Sequence, residues 1–300
     1  MISILIPTYN QDISRLVADL QQQAQESYVD YEIIVMEDGS DKWIEQNKTI
    51  AKFACCKHIV LNQNIGRSAV RNKLADEAKY EHLLFMDCDA EVSSIHFIEK
   101  YLTFCKEDCV VIGGTAYDPE ENSPEYSLRL KYGRKREART ALERNKNNFA
   151  TFNFLISKSI FNQVRFDESI RGYGHEDMLF GHQIHQLGYE FTQIENPLIH
   201  KGLDDNPTFI KKTEESTRNL FLLYQTGRYP YLAQESKLLS TFLRLKKYNL
   251  IRLFAFKFNL TKNILRWLLS RKSPLLQLYD LYKLLFICKI SLKNDKMSAI

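Results

Sequence analysis

The chain's 300 residues exceed the usual size of a single domain, though a large α/β domain with an appendage fits equally well, and at 44% hydrophobic and 12% aromatic it can build a sizeable core. Its net charge of +4 hides an asymmetry: residues 237–300 carry 14 Lys/Arg against Asp280 and Asp295, a net of +12, leaving −8 for the rest. Such a split suggests a mildly acidic body with a basic tail that suits an anionic partner. Six cysteines form no C-x-x-C pair, and thiols used this way point to a reducing, cytoplasmic compartment rather than a disulfide framework.

Met1 is followed at once by "ISILIP". The run has no basic flank and is too short for a signal peptide or a spanning helix, so it reads as a first buried strand over 2–7. Asp12 then caps a helix in which Ile13, Leu16, Val17 and Leu20 share one face. Further strands are expected at 32–37, 58–62, 82–87 and 109–114, with a polar helix after "DGSD", a helix in "GRSAVRNKLADEAK" and another around 94–105. Strands without polar alternation, separated by helices, predict a parallel sheet covered on both faces. Ligands of such sheets bind at the carboxyl ends of the strands. That rule lines up Pro7–Asn10, Glu37–Ser40, Asn62–Arg67 and Asp87–Asp89 along one edge. The acids at the end of "LLFMDCDAE" therefore face a cleft, where like charges this close raise each other's pKa unless something positive lies nearby.

Residues 119–148 are rich in Pro, Asn and charge, and read as a solvated helix or mobile loop. A strand returns at 149–157. In "RGYGHEDMLFGHQIHQLG" a glycine turn leads to an acidic helix start and Gly188 closes the helix; a strand follows at 189–195. His175, His182 and His185 read as structural. Everything from about 209 onward reads helical. The domains expected are 1–230 and a basic helical extension, 231–300.

The ordered set "IPTYN", "VMEDGS", "NIGRSAVRN", "LLFMDCDAE" and "GYGHEDMLFG" resembles the family-2 glycosyltransferases. The resemblance covers about residues 1–210. It implies the GT-A fold: α/β, Rossmann-like and doubly wound, with a mostly parallel sheet, here followed by a C-terminal helical extension. The "GYGHED" segment is most similar to the galactosyl- and N-acetylgalactosaminyl-transferase branch.

The roles that follow are implied by that resemblance. Asp87 and Asp89, with Cys88 between them, match the D-x-D that holds a divalent cation on a nucleotide diphosphate, whose leaving charge needs a Lewis acid. His200, 23 residues beyond Asp177, matches a further ligand, and a nitrogen donor favours Mn²⁺ over Mg²⁺. Asp38 matches the residue that reads uracil, with Pro7 and Tyr9 completing the base site, so UDP-sugars are the expected donors. Glu37 stands where Asp is commoner. Arg67 and Arg71, four apart on one helix face, reach phosphate or brace the acids. Asp177 is the expected general base of an inverting displacement, while Glu176, Tyr173 and Gly174 shape the acceptor site.

The basic tail interleaves Lys and Arg with Leu, Phe and Trp, and its wholly apolar runs are too short to span a bilayer. It suits a helix lying on an anionic membrane; packing on the catalytic domain or on a second copy is the alternative, and nucleic acid has no use for the aliphatic face. The expected protein is therefore a metal-dependent transferase at the cytoplasmic face of the membrane, extending a glycan or lipid-linked acceptor. A sugar-nucleotide pyrophosphorylase would need a Gly-rich, Arg/Lys-containing loop where "PTYNQD" stands, and an inactive scaffold would be expected to lack a ligand or the base.

Overall fold

The structure, a computed structural model, describes residues 1–105, 108–144, 149–170 and 172–297, with side chains to residue 292. Its strands are β1 (Ile2–Thr8), β2 (Tyr31–Glu37), β3 (Cys56–Val60), β4 (His82–Met86), β5 (Ala90–Val92), β6 (Val110–Ile112), β7 (Thr115–Ala116), β8 (Asn153–Ser157), β9 (Thr192–Gln193) and β10 (Leu198–His200). The longer helices are α1 (Ser14–Glu26), α2 (Arg67–Glu77), α3 (Glu176–Gln186), α4 (Asn206–Gln225), α5 (Lys237–Lys247), α6 (Ile251–Leu269) and α7 (Leu276–Met297).

Chain contacts divide the molecule into two compact units. One comprises Met1–Asp118, Arg134–Arg171 and Glu176–Gly202; the other comprises Pro119–Gly133, Gly172–His175 and Leu203–Ile300.

The first unit is built on a sheet of order β3-β2-β1-β4-β8-β6-β9. Strands β3, β2, β1 and β4 run parallel, as expected. β8 is antiparallel to both its neighbours, β4 and β6, so the sheet is mostly rather than wholly parallel. Side-chain alternation explains why both faces are covered. Ile2, Ile4, Ile6, Ile33, Val35, Leu84 and Met86 pack on the side of α1. Leu5, Ile34, Met36, Leu83 and Phe85 pack on the side of α2, whose Val70, Leu74 and Ala75 meet an aromatic group that includes Phe154, Phe161 and Phe180. The carboxyl ends of β3, β2, β1 and β4 thus lie along one edge.

Local details depart from the sequence reading where burial is thin. The strand expected at 189–195 is reduced to two residues, and β10 and β7 form with β5 a small second sheet. The helix expected after "DGSD" is one turn, Ile44–Asn47, continuing as 3₁₀ over Lys48–Lys52. Asp12 accepts from the Ser14 amide at 3.0 Å at the start of α1. Of the segment expected to be a solvated helix or mobile loop, Ser127–Tyr132 is helical, though with Leu128 and Leu130 buried rather than solvated; its last residues, 145–148, lie outside the described set.

In the second unit α4 is capped by Asp205, whose side chain accepts from the Thr208 amide at 2.8 Å. The Asn206 side chain ties Ser127–Tyr132 to this helix, accepting from the Leu128 amide at 2.9 Å and donating to the Pro124 carbonyl at 3.0 Å. No helix among the described residues is long and apolar enough to cross a membrane.

Candidate active site

At the end of β4 the backbone is fixed by the Asp87 amide, which donates to the Phe152 carbonyl at 3.0 Å. The positive partner of Asp87 is Arg71. Its Nη2 donates to Asp87 Oδ1 at 2.8 Å, and its Nη1 stands 3.8 Å from Glu176 Oε1. Arg67, four residues earlier on α2, stands 3.9 Å from the same oxygen. The Arg71 side chain is only 3% exposed. A cation this deep is stable only when paired, and two carboxylates from distant parts of the chain pair it. Its Nε and Nη1, and Glu176 Oε2, nonetheless make no hydrogen bond among the described residues. Burial pushes the Asp87 carboxyl up; Arg71 opposes this and Asp89 adds to it.

Asp89 faces the other way. The antiparallel register of β5 and β10 sets His200 opposite Ala90, and this brings His200 Nε2 to 3.3 Å from Asp89 Oδ2. The imidazole lies between the rings of Phe152 and Tyr117, with centroids at 5.2 and 5.7 Å. A side chain at Gly202 would place its Cβ 2.2 Å from Asp89 Oδ2, so the glycine makes room for the carboxylate. Burial alone would raise Asp89, but the hydrogen bond and charge of His200, with Arg67, hold it below the usual range. Cys88 is pushed up to about 12, chiefly by burial, and stays a neutral thiol.

The fit of a divalent cation can be judged from this geometry. Mg²⁺-type octahedral ions with bonds of about 2.1 Å hold adjacent ligands about 3 Å apart, which is near the Asp89–His200 separation. Among the described residues no three His, Cys, Asp or Glu side chains form a metal-holding group. The pair therefore fits as part of a shell that phosphate oxygens complete, the usual arrangement for such ions on nucleotides.

The next strand end is knitted by Asp38. Its backbone amide donates to the Thr8 carbonyl at 2.7 Å. Its Oδ1 accepts from the Ile65 amide at 2.6 Å and its Oδ2 from the Gly66 amide at 3.1 Å. Burial lifts its pKa against the pull of those two amides. Gly39, at φ +68°, passes so close to Asn64 that a Cβ would lie 2.3 Å from that amide nitrogen. Pro7 is partly buried in β1, and Tyr9 just beyond is 54% exposed, leaving its ring open to solvent. Glu37 is fully buried and accepts from Ser40 Oγ at 2.5 Å and Asn47 Nδ2 at 2.7 Å, with His58 Nε2 at 3.3 Å. It braces the loop.

Glu176 and Asp177 open α3. Glu176 is buried and turned to the two arginines. Asp177 Oδ1 accepts from the Met178 amide at 2.7 Å. Its carboxyl is pushed up to about 6, by burial first and by the neighbouring Glu176 second. A carboxyl poised there exchanges protons near neutrality.

Tyr173 and Gly174 belong to the second unit. The Gly174 carbonyl accepts from Asn219 Nδ2 at 2.9 Å, and its φ of +84° is a conformation that glycine tolerates. His175 Nε2 lies 3.0 Å from the Ser216 carbonyl, and Lys212 Nζ stands 5.5 Å from the centre of the Tyr173 ring. The glycine turn is thus pinned to α4, which is the structural role read for His175.

Sequence reasoning passed over Phe152, Tyr117 and Gly202, which wall His200 and seat Asp89. Only Gly202 carries a local signal, as the glycine two residues after the histidine.

A doubly wound sheet with acids at its carboxyl edge is the arrangement of GT-A glycosyltransferases, and the comparisons agree. The TM-score is 0.50 to Staphylococcus aureus TarS residues 1–349, at 16% identity over 98% of this chain and 91% of that one. It is 0.57 to the mannosyltransferase PcManGT from Pyrobaculum calidifontis, solved with GDP-Man and Mn²⁺, at 12% identity over 97% and 86%. At such identities these likenesses speak to the fold. Residues 3–165 match Glycosyl transferase family 2, and the chain belongs to this family. It is 23% identical to the chondroitin synthase of Escherichia coli over 304 residues, 88% of this chain and 43% of that protein. It is also 23% identical to the hyaluronan synthase of Pasteurella multocida over 272 residues, 77% of this chain and 27% of that one. The chain thus spans less than half the length of these relatives. It is a glycosyltransferase, which sets aside the pyrophosphorylase alternative.

Proposed function

We propose that the chain is an inverting, metal-dependent transferase that moves a sugar from a UDP-sugar to a hydroxyl of a glycan or lipid-linked acceptor, in cell-surface polysaccharide synthesis. The observation that carries this reading is the Asp89–His200 pair at 3.3 Å, set at the strand end beside Asp87 and Arg71. Asp89 and His200 would hold the cation, with Asp87 adjoining, and the nitrogen donor favours Mn²⁺ over Mg²⁺. The bound ion would neutralise the departing diphosphate.

The rest of the chemistry belongs to the chain. Arg71 and Arg67 offer donors to the diphosphate from α2, with Gly66 opening that helix. The Tyr9 ring and the Asp38 loop form the floor for the base, with Pro7 and Cys88 in the adjoining backbone. Asp177 takes the proton of the acceptor hydroxyl as its oxygen bonds to the anomeric carbon and the bond to the nucleoside diphosphate breaks. A one-step displacement turns an α-linked donor into a β-linkage. Glu176, Tyr173 and Gly174 shape the acceptor side, as in the galactosyl- and N-acetylgalactosaminyl-transferase branch.

A polymer acceptor is supported by the names of the relatives, a chondroitin and a hyaluronan synthase, and a nucleotide-sugar donor by the GDP-Man complex of the mannosyltransferase. A location at the inner face of the cell membrane is supported by the basic charge of the C-terminal helices. Release of nucleoside diphosphate from a panel of nucleotide sugars, with Mn²⁺ and with chelator, tests the reading. Metal-dependent turnover of a UDP-sugar is expected; undiminished turnover in chelator overturns the metal assignment.

A further inference from the structure

Helix α6 is apolar on two sides. One side buries Ala255, Phe258, Leu265 and Leu269 in its own unit. The other carries Leu253, Phe256, Leu260, Ile264 and Trp267, which are 48%, 60%, 63%, 59% and 57% exposed. At 3.6 residues per turn these five fall within about 80° of arc, a single stripe along the helix. A helix needs one apolar face to pack, so the second is surplus to the fold. Arg252, Lys257, Arg271 and Lys272 are exposed around the stripe, and the Arg271 guanidinium lies 4.0 Å from the centre of the Trp267 ring.

Charge indicates what covers this face. Residues 237–300 carry a net charge of +12, so two copies meeting there would bring like charges together. An anionic bilayer instead gains from each basic residue near its surface. A nucleic acid would leave the five apolar side chains in water. No helix among the described residues can cross the bilayer, which leaves an orientation in the plane of the interface.

We propose that α6 lies flat on an anionic bilayer, with Leu253, Phe256, Leu260, Ile264 and Trp267 at the boundary between headgroups and acyl chains. Arg252, Lys257, Arg271 and Lys272 then lie against lipid phosphates. This rests on the membrane placement proposed above and names the face that makes it.

The chain has two tryptophans, so full-length Trp43→Phe protein leaves Trp267 as sole reporter. With phosphatidylglycerol vesicles its emission shifts to the blue and the protein co-sediments; with phosphatidylcholine alone neither occurs. Lys257→Gln lowers the partition coefficient by roughly five-fold. Leu260→Glu with Ile264→Glu lowers it by more than about ten-fold, with an unchanged circular-dichroism melt because both sites are exposed. If the native chain does not bind phosphatidylglycerol vesicles, the membrane placement fails and this proposal with it. If it binds and the double variant binds equally, the placement stands and the stripe is wrong. A dimer on sizing that the double variant dissociates, without vesicle binding, assigns the stripe to a second copy and also overturns the proposal.

Discussion

Arg71 donates to Asp87 at 2.8 Å from a side chain only 3% exposed, joining helix α2 to the end of β4 beneath the candidate metal position. The same guanidinium approaches Glu176, so one buried cation holds two acids in place before any ligand arrives. Removing it should strand both. Arg71→Met is expected to lose about 3–5 kcal/mol of stability, the usual cost of breaking a buried pair from one side. Urea unfolding checks this, and Arg71→Met with Asp87→Asn should recover part of the loss.

The Asp89–His200 pair predicts a metal-dependent nucleotide affinity. Asp89→Ala should abolish turnover, and His200→Ala should weaken Mn²⁺-supported UDP binding by at least about ten-fold. Calorimetric titration of UDP with Mn²⁺, Mg²⁺ or chelator reads this directly. The His200 variant should also lose its preference for Mn²⁺, since the nitrogen donor is what creates it. A native chain that binds UDP equally in chelator would contradict the pair's role.

Asp38 ties its strand end to the loop before α2 with both oxygens. Asp38→Asn can accept from one amide only, and should cost about 1–3 kcal/mol while raising the UDP dissociation constant. Equal affinity of the native chain for UDP and GDP would count against a uracil site, and can be read in the same titration.

Asp177 should reveal itself in both rate and stability. With its carboxyl pushed up to about 6, the transfer rate should rise with pH through about 6, and Asp177→Asn should cut it by about 10²-fold or more. The native state holds this proton more tightly than the unfolded chain, whose Asp titrates near 3.8. Folding therefore loses stability as pH rises from about 4 to 6, because there the folded state binds more protons. Asp177→Asn removes that loss, so its melting temperature should exceed that of the native chain at pH 7 and match it near pH 4.

Sequence alone carried the alternation of strands and helices in the first half, because buried parallel strands are short apolar runs. The edge bearing Asp38, Asp87 and Asp89 followed from that alternation and from the binding of ligands at the carboxyl ends of such strands. The strand at β8 was legible but its antiparallel direction was not, because an apolar run reads the same in either direction; the small sheet of β5, β10 and β7 was beyond it, since two- and three-residue strands have no period to detect. Yet β10 is what brings His200 to Asp89, across more than a hundred residues of chain. Likewise the spacing of Arg67 and Arg71 put them on one face, while only packing decided that Arg71 would be buried between Asp87 and Glu176. The tail's charge and helicity were legible from composition; which apolar side chains of α6 pack inward and which remain in water depended on its neighbours. Local sequence fixes what a residue can do chemically, but pairing at a distance depends on the folded chain that buries and aligns the partners.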